Sequence, residues 1–365
     1  MLLMYQYAHL PKDQPLLIDI CAAANRLFNK LKLLKVEALA ISDYNKRYLN
    51  SKISSLTSNI QLYSYILAWS LAKSAVPTNK FSLIDYGGGS GMLSLLAKEL
   101  GLGTVIYNDI YDISCRDAQQ IAKSLGVEAD YYVHGNIDDV LLFLKKNNFN
   151  CNAIVSYDVI EHIYNVEDFF NKVSFLTNAP IAIVMSSGAN VFNPFIRKKL
   201  MKKQVELEYK DQEKKWGHKE RDCLKAYLRV RKEMILEYLK DFNTTLSENE
   251  TEQLVKNTRG MIKSKIRKCV EDYLKTGNFP PPPVHPTNTC DPYTGNWAEH
   301  LMDPFYLANI LSNKGFTVSI LSGYYGCPKN TVKRLLAKIL NAVIFLSRKQ
   351  GLRIAPFYTI YGKRF

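Results

Sequence analysis

The chain has 365 residues, 47% of them hydrophobic, and a formal charge of +14 from 48 Lys+Arg against 34 Asp+Glu. That length suits one large domain or two to three smaller ones, and the apolar content excludes disorder of the whole chain. No apolar run reaches the roughly 20 residues that span a bilayer, residues 1–10 lack the pattern of a signal peptide, and seven scattered cysteines without a CxxC pair fit a reducing, cytoplasmic setting rather than a zinc site or disulfide framework.

In chain order, residues 14–40 and 54–76 read as two helices, an N-terminal helical cap over 1–80. From residue 81 the rhythm changes. Strands are expected at 81–86, 104–107, 130–134, 153–156 and 181–186, alternating with helices at 92–100, 113–125, 138–146 and 166–176. That alternation over 81–190 predicts an α/β fold, a parallel sheet with helices on both faces. Residues 191–302 break it. They are charged and helical in character, with Leu224, Leu228, Ile235 and Leu239 on one stripe, and end in a proline-rich loop at 278–296. Residues 303–365 resume the alternation with a helix at 304–313, a strand at 316–321, a basic amphipathic helix at 329–349 and a last strand at 354–361.

The charge is uneven. Residues 101–196 hold 5 basic and 11 acidic side chains, whereas residues 304–365 hold 10 basic and none acidic. A uniformly basic nucleic-acid binder would look different, and aromatic residues do not interleave with the basic ones, which disfavours nucleic acid as a partner. In the helix at 329–349, Val332, Leu335, Leu336, Ile339, Leu340, Val343 and Leu346 form one stripe. Lys329, Lys333, Arg334, Lys338, Arg348 and Lys349 populate other faces. Either the stripe packs on the protein, or the helix meets an anionic membrane or acceptor at the inner face of a membrane.

Four features fall at the C-terminal ends of consecutive strands, where open α/β sheets bind ligands. The first is the turn Asp85-Tyr86-Gly87-Gly88-Gly89-Ser90-Gly91, whose glycines permit close approach of a ligand to the backbone. The second is Asp109 with Ile110, where a carboxylate can accept from both hydroxyls of a ribose. The third is Gly135-Asn136-Ile137, beside which an adenine could lie. The fourth is Ser156-Tyr157-Asp158-Val159-Ile160-Glu161-His162.

This set resembles the class I S-adenosylmethionine-dependent methyltransferases, over residues 81–190 and more weakly over 303–365. The resemblance implies a Rossmann-like, seven-stranded, mostly parallel sheet closed by an antiparallel strand, with the helical cap and the large helical insertion as additions. It implies S-adenosyl-L-methionine as cofactor, held by Asp85, Gly87, Gly88, Gly89, Gly91, Asp109, Ile110, Asn136, Ile137, Ser156 and Tyr157. Asn136 stands where the family often has Asp. Nicotinamide dehydrogenases are the rival, but they usually carry GxGxxG, and this turn reads GxGxG. The implied reaction is methyl transfer to an oxygen, less readily a nitrogen, of a small-molecule, glycan or lipid-linked acceptor. An RNA or protein methyltransferase and a non-catalytic cofactor-binding scaffold are the alternatives.

For chemistry, the candidates are His162, Asp158 and His300. On a helix, Asp158, Glu161 and His162 would share a face and could ligate a divalent metal, although no metal is expected. Trp297 and His300 could line the acceptor site from the loop 288–300. Trp216-Gly217-His218 reads as a solvated stretch.

Overall fold

The computed structural model describes residues 9–177, 179–212, 219, 223–328 and 330–364. Its N-terminal region holds three helices where two are expected. Asp13 caps α1 (Gln14–Leu33) by accepting from the Leu16 N–H, and Pro15 starts its first turn. The helix ends at Leu33, short of residue 40. A new helix, α2 (Asp43–Ser54), begins at Ser42, whose hydroxyl accepts from the Asn45 N–H. That Ser-Asp-x-Asn start is an N-cap signal that the apolar spacing alone conceals. The third, α3 (Leu56–Leu71), is buried along most of its length.

Seven strands form one sheet in the order β3-β2-β1-β4-β5-β7-β6. They are β1 (Ser82–Tyr86), β2 (Thr104–Asp109), β3 (Tyr131–His134), β4 (Ala153–Tyr157), β5 (Ile181–Ser187), β6 (Thr317–Ser322) and β7 (Tyr358–Arg364). β1 to β5 pair in parallel, and β7 runs antiparallel between β5 and β6. This is the seven-stranded, mostly parallel sheet that the resemblance implies. The last strand starts four residues later than expected, after Pro356, because residues 348–353 form a 3-10 turn first.

Helices cover both faces. Between the strands lie α4 (Met92–Glu99), α5 (Asp112–Leu125), α6 (Ile137–Asn147) and α7 (Val166–Val173). Leu83, Val105, Val155 and Val184 point into one core, shared with α1, α3, α4 and α5. Ile84, Ile106, Ile154 and Ile183 point into the other, with α6, α7 and α12 (Pro304–Ser312). The period of two, apolar on both sides, is what a sheet buried on both faces requires. The N-terminal helices therefore belong to the core of the sheet.

The insertion contains α8 (Pro194–Tyr209), α9 (Tyr227–Asp241), α10 (Glu248–Asn257) and α11 (Lys263–Thr276). Val230, Ile235, Leu239, Leu254, Ile266 and Val270 give it a core of its own. Leu224 lies before α9 and is exposed, so the expected stripe begins at Leu228. After β6 comes α13 (Thr331–Leu346), shorter than expected, with Arg348 and Lys349 in the following 3-10 turn and Lys329 outside the described residues.

Candidate active site

A cleft of about 880 Å3 opens at the C-terminal ends of β1, β2, β3 and β4. The glycine turn forms its floor. Gly87 has φ +71°, and a Cβ there would meet Val159 Cγ2 at 2.5 Å. Gly88 faces Tyr107, where a Cβ would fall 2.6 Å from the ring. Both contacts bring the turn against its neighbours in a way only glycine permits. Gly91 has a left-handed conformation and caps α4.

Asp109, at the end of β2, is buried and faces the turn. Its Oδ2 accepts from the Gly89 N–H at 3.1 Å and its Oδ1 from the Tyr111 N–H at 3.0 Å. A carboxylate offers about four lone-pair positions, so each oxygen retains one for a ligand hydroxyl. Asp85 accepts from the Ser94 N–H and hydroxyl, and its burial lifts its pKa to about 6.

Of the residues expected to hold the cofactor, Asp85, Gly87, Gly88, Gly89, Asp109, Ile110, Asn136, Ile137 and Tyr157 line this cleft, while Gly91 and Ser156 do not. Asn136 has its amide oxygen engaged once and keeps a second lone pair there. Its Oδ1 caps α6 by accepting from the Asp138 N–H, and Asp139 returns the bond to the Asn136 N–H. A capping box explains Asn at this position without a ligand. Asp138 lines the cleft beside it, paired with Lys172 at 2.8 Å.

The segment after β4 is not the helix on which Asp158, Glu161 and His162 would share a face. Asp158 has φ +53°, and only Ile160–His162 form a 3-10 turn. Asp158, Glu161 and His162 therefore do not share a helical face. Among the described residues, no group of three His, Cys, Asp or Glu side chains is placed to hold a metal ion. Asp158 lies open to the cleft but deep within it, accepts from the Gly188 N–H at 2.8 Å, and has its pKa raised by desolvation. Glu161 points away, into the buried space beside Ser187 and Tyr358. Desolvation first, then Asp158 and Glu299, raise its pKa well above the ordinary value.

His162 lines the cleft. Its Nδ1 lies 2.8 Å from the Trp297 carbonyl, the Trp297 N–H donates to the His162 carbonyl, and the His300 N–H donates to the Glu161 carbonyl. The loop returning from the insertion is thus paired onto the post-β4 turn. Tyr293, Thr294, Gly295 and Asn296 of that loop line the cleft; Trp297 and His300 do not. Trp297 stacks between Tyr164 and His300, and His300 faces a second, smaller pocket with Glu167, Asp303 and Tyr306. Burial lowers the His300 pKa to about 4. His300 is therefore placed apart from Asp158 and His162. Trp216, Gly217 and His218 lie outside the described residues.

Sequence reasoning passed over one wall of the site. Tyr44, Tyr48 and Lys52, at i, i+4 and i+8 of α2, all line the cleft. The helix is held there by Asp117 of α5, whose Oδ2 accepts from the Ser42 N–H and the Asn45 amide. Lys52 lies over the rings of Tyr48 and Tyr157. Tyr63, then Tyr48 and Asp158, raise its pKa against the opposing effect of burial. Tyr63 is itself pushed up to about 12 by desolvation. The signal available was the i, i+4, i+8 spacing after the Ser42 cap.

No protein-family model matches the chain, and no curated protein does. Solved structures similar to it include the plantazolicin methyltransferase BamL in complex with a triazolic desmethylPZN analog and SAH, at 12% identity, covering 94% of this chain and 97% of that one with a TM-score of 0.40. An S-adenosylmethionine dependent methyltransferase from Mesorhizobium loti is 14% identical, covering 79% and 94% with a TM-score of 0.35. A hypothetical protein of Thermus thermophilus is 14% identical, covering 30% of this chain and 62% of its own length with a TM-score of 0.26. The sheet with its antiparallel β7, the glycine turn after β1 and Asp109 after β2 give this chain the fold of the class I S-adenosylmethionine-dependent methyltransferases.

Proposed function

We propose that the chain is an S-adenosylmethionine-dependent methyltransferase acting on an oxygen of a small-molecule acceptor. The observation that carries the reading is the convergence of the glycine turn, Asp109 and the Tyr157–Asp158–His162 segment on one cleft large enough for a nucleoside cofactor and a second ligand. Asp85, Asp109, Asp138, Asp158 and Asp168 line it against Lys52, Lys172 and Lys219. That balance suits a sulfonium cation better than a pyrophosphate.

When bound, the cofactor supplies an electrophilic methyl group. Asp109 would take the ribose hydroxyls, and the glycine turn would lie along the cofactor backbone. His162 would receive the acceptor's hydroxyl proton at Nε2, with Tyr48, Tyr63 and Asn296 shaping the acceptor side. Methyl transfer is an in-line displacement, so positioning by these walls accounts for much of the acceleration. Glycan and lipid-linked acceptors fit the same chemistry, and a lipid surface as the place of encounter draws on α13.

The test is calorimetry with S-adenosylhomocysteine. The wild-type chain should bind it at micromolar concentration, and Asp109→Ala should abolish binding. A wild-type chain that fails to bind would sink the reading. Incubation with labelled methyl donor and fractionated extract then reports the acceptor. Label entering the RNA or protein fraction would favour those acceptors, and retention of cofactor with no label transferred would mark a scaffold.

A further inference from the structure

We infer that α13 is an interfacial helix that seats the protein on an anionic lipid surface. The inference deepens the lipid-linked reading of the acceptor, but its physical basis is independent of methyl transfer.

The sequence left two fates for the apolar stripe of this helix, and the structure separates them. Val332, Leu335, Leu336, Ile339, Val343 and Leu346 are 40–77% exposed. The protein-facing side is instead made by Ala337, Asn341 and Ile344. Asn341 fixes that side by accepting from the Tyr325 N–H and donating to the Tyr325 carbonyl. At 100° per residue, the six exposed side chains fall within an arc about 100° wide, and the three buried ones lie on the opposite side. The helix is docked with its apolar face outward.

Six large apolar side chains aligned on one exposed face mark an interaction surface. Its charge selects the partner. Lys333 and Lys338 flank the apolar arc on its two sides, both exposed. The final 62 residues carry ten basic side chains and no acidic one. An apolar arc bordered by lysines is the pattern of a helix lying in the headgroup region, with its apolar side chains among the acyl chains and its cations on anionic lipid.

Topology links this surface to the cleft. Ser187 at the end of β5 and Ser322 at the end of β6 both pair with Tyr358 at the start of β7. The connection carrying α13 therefore leaves and re-enters the sheet at the edge on which β1 to β4 end, which is the edge of the cleft. The loop before α13 is tied to the same side, with the Cys327 N–H donating to Ser58 of α3. The segment carrying the interfacial helix thus begins and ends at the cleft's edge of the sheet.

The test is co-sedimentation of the full chain, without methyl donor, with vesicles of phosphatidylcholine alone or mixed in equal parts with phosphatidylglycerol. Binding should be confined to the mixed vesicles and weaken as salt is added. Leu335→Ser with Ile339→Ser should weaken it by about tenfold or more, and Lys333→Glu with Lys338→Glu by a similar factor. All four positions are exposed, and an unchanged thermal melt would confirm that the variants fold. Three results would overturn the inference: wild-type chain left in the supernatant with mixed vesicles, the serine variant sedimenting as well as wild type, or a wild-type dimer that the serine variant converts to monomer. Because S-adenosylhomocysteine binding is measured separately, failure here is distinguishable from failure of the methyltransferase reading.

Discussion

Nδ1 of His162 donates to the Trp297 carbonyl oxygen at 2.8 Å. A carbonyl only accepts, so the ring proton sits on Nδ1, and a neutral His162 keeps its lone pair at Nε2. The insertion loop thereby sets the tautomer of a histidine on the cleft wall. His162→Gln should lower methyl transfer by about a hundredfold to ten-thousandfold, the usual contribution of a positioned base. S-adenosylhomocysteine binding should stay as in wild type. A variant with near wild-type turnover would show that positioning alone drives the reaction.

Gly87→Ala tests the floor of the cleft. The substitution places a Cβ 2.5 Å from Val159 Cγ2 at a residue with φ +71°. The left-handed backbone alone costs about 1–2 kcal/mol, and the clash adds to it. Cofactor affinity and melting temperature should both fall. Adding Val159→Ala should relieve the clash and leave the backbone cost, so the double variant should recover only part of each loss.

The local features were legible because each is a short run with its own physical signature. The glycine turn is required where a strand turns tightly against Val159, and Asp109 ends a strand that alternates in and out of two cores. The α2 wall was not legible, because the periodic leucines of α1 and α3 gave no reason to break the chain at Leu33 and restart it at Ser42. The post-β4 segment misled for another reason. Its spacing allows a helix, but Asp158 takes a left-handed conformation, stabilised by the bond from the Gly188 N–H across to β5's end. The pairing of residues 161 and 162 with 297 and 300 joins segments more than 130 positions apart, which no periodicity reports. The exposed face of α13 likewise depends on which side of the helix the rest of the chain covers.

Glu161 makes stability depend on pH. Its carboxyl is fully buried beside Ser187 and Tyr358, and no well-formed hydrogen bond reaches either oxygen. Its folded pKa therefore lies well above the ordinary 4.5. The folded chain holds this proton more tightly than the unfolded chain does. The resulting stability is complete below the unfolded value and is lost as pH rises through the folded one. Between about pH 5 and 8, the melting temperature of wild type should fall more steeply than that of Glu161→Gln. Parallel curves would place the pH dependence on other groups, Asp85 and Asp158 among them.

The insertion should be separable from cofactor binding by breaking one buried ion pair. Glu208 on α8 accepts from Arg231 on α9 at 2.5 and 3.1 Å and from the Thr289 hydroxyl at 2.7 Å. One turn earlier, Gln204 donates to the Glu299 carbonyl and to Asn288. Together these two side chains hold the loop whose residues 293–296 line the cleft. Arg231→Met leaves the Glu208 charge buried without its cation, at a cost of about 3–5 kcal/mol. The insertion should become sensitive to proteolysis and methyl transfer should fall, while S-adenosylhomocysteine still binds, because the glycine turn and Asp109 belong to the sheet. Adding Glu208→Leu removes the stranded charge and should restore much of the stability. It cannot restore the bond to Thr289, so turnover should remain low in the double variant. Full recovery of turnover would mean that the loop holds its place on the cleft without Glu208.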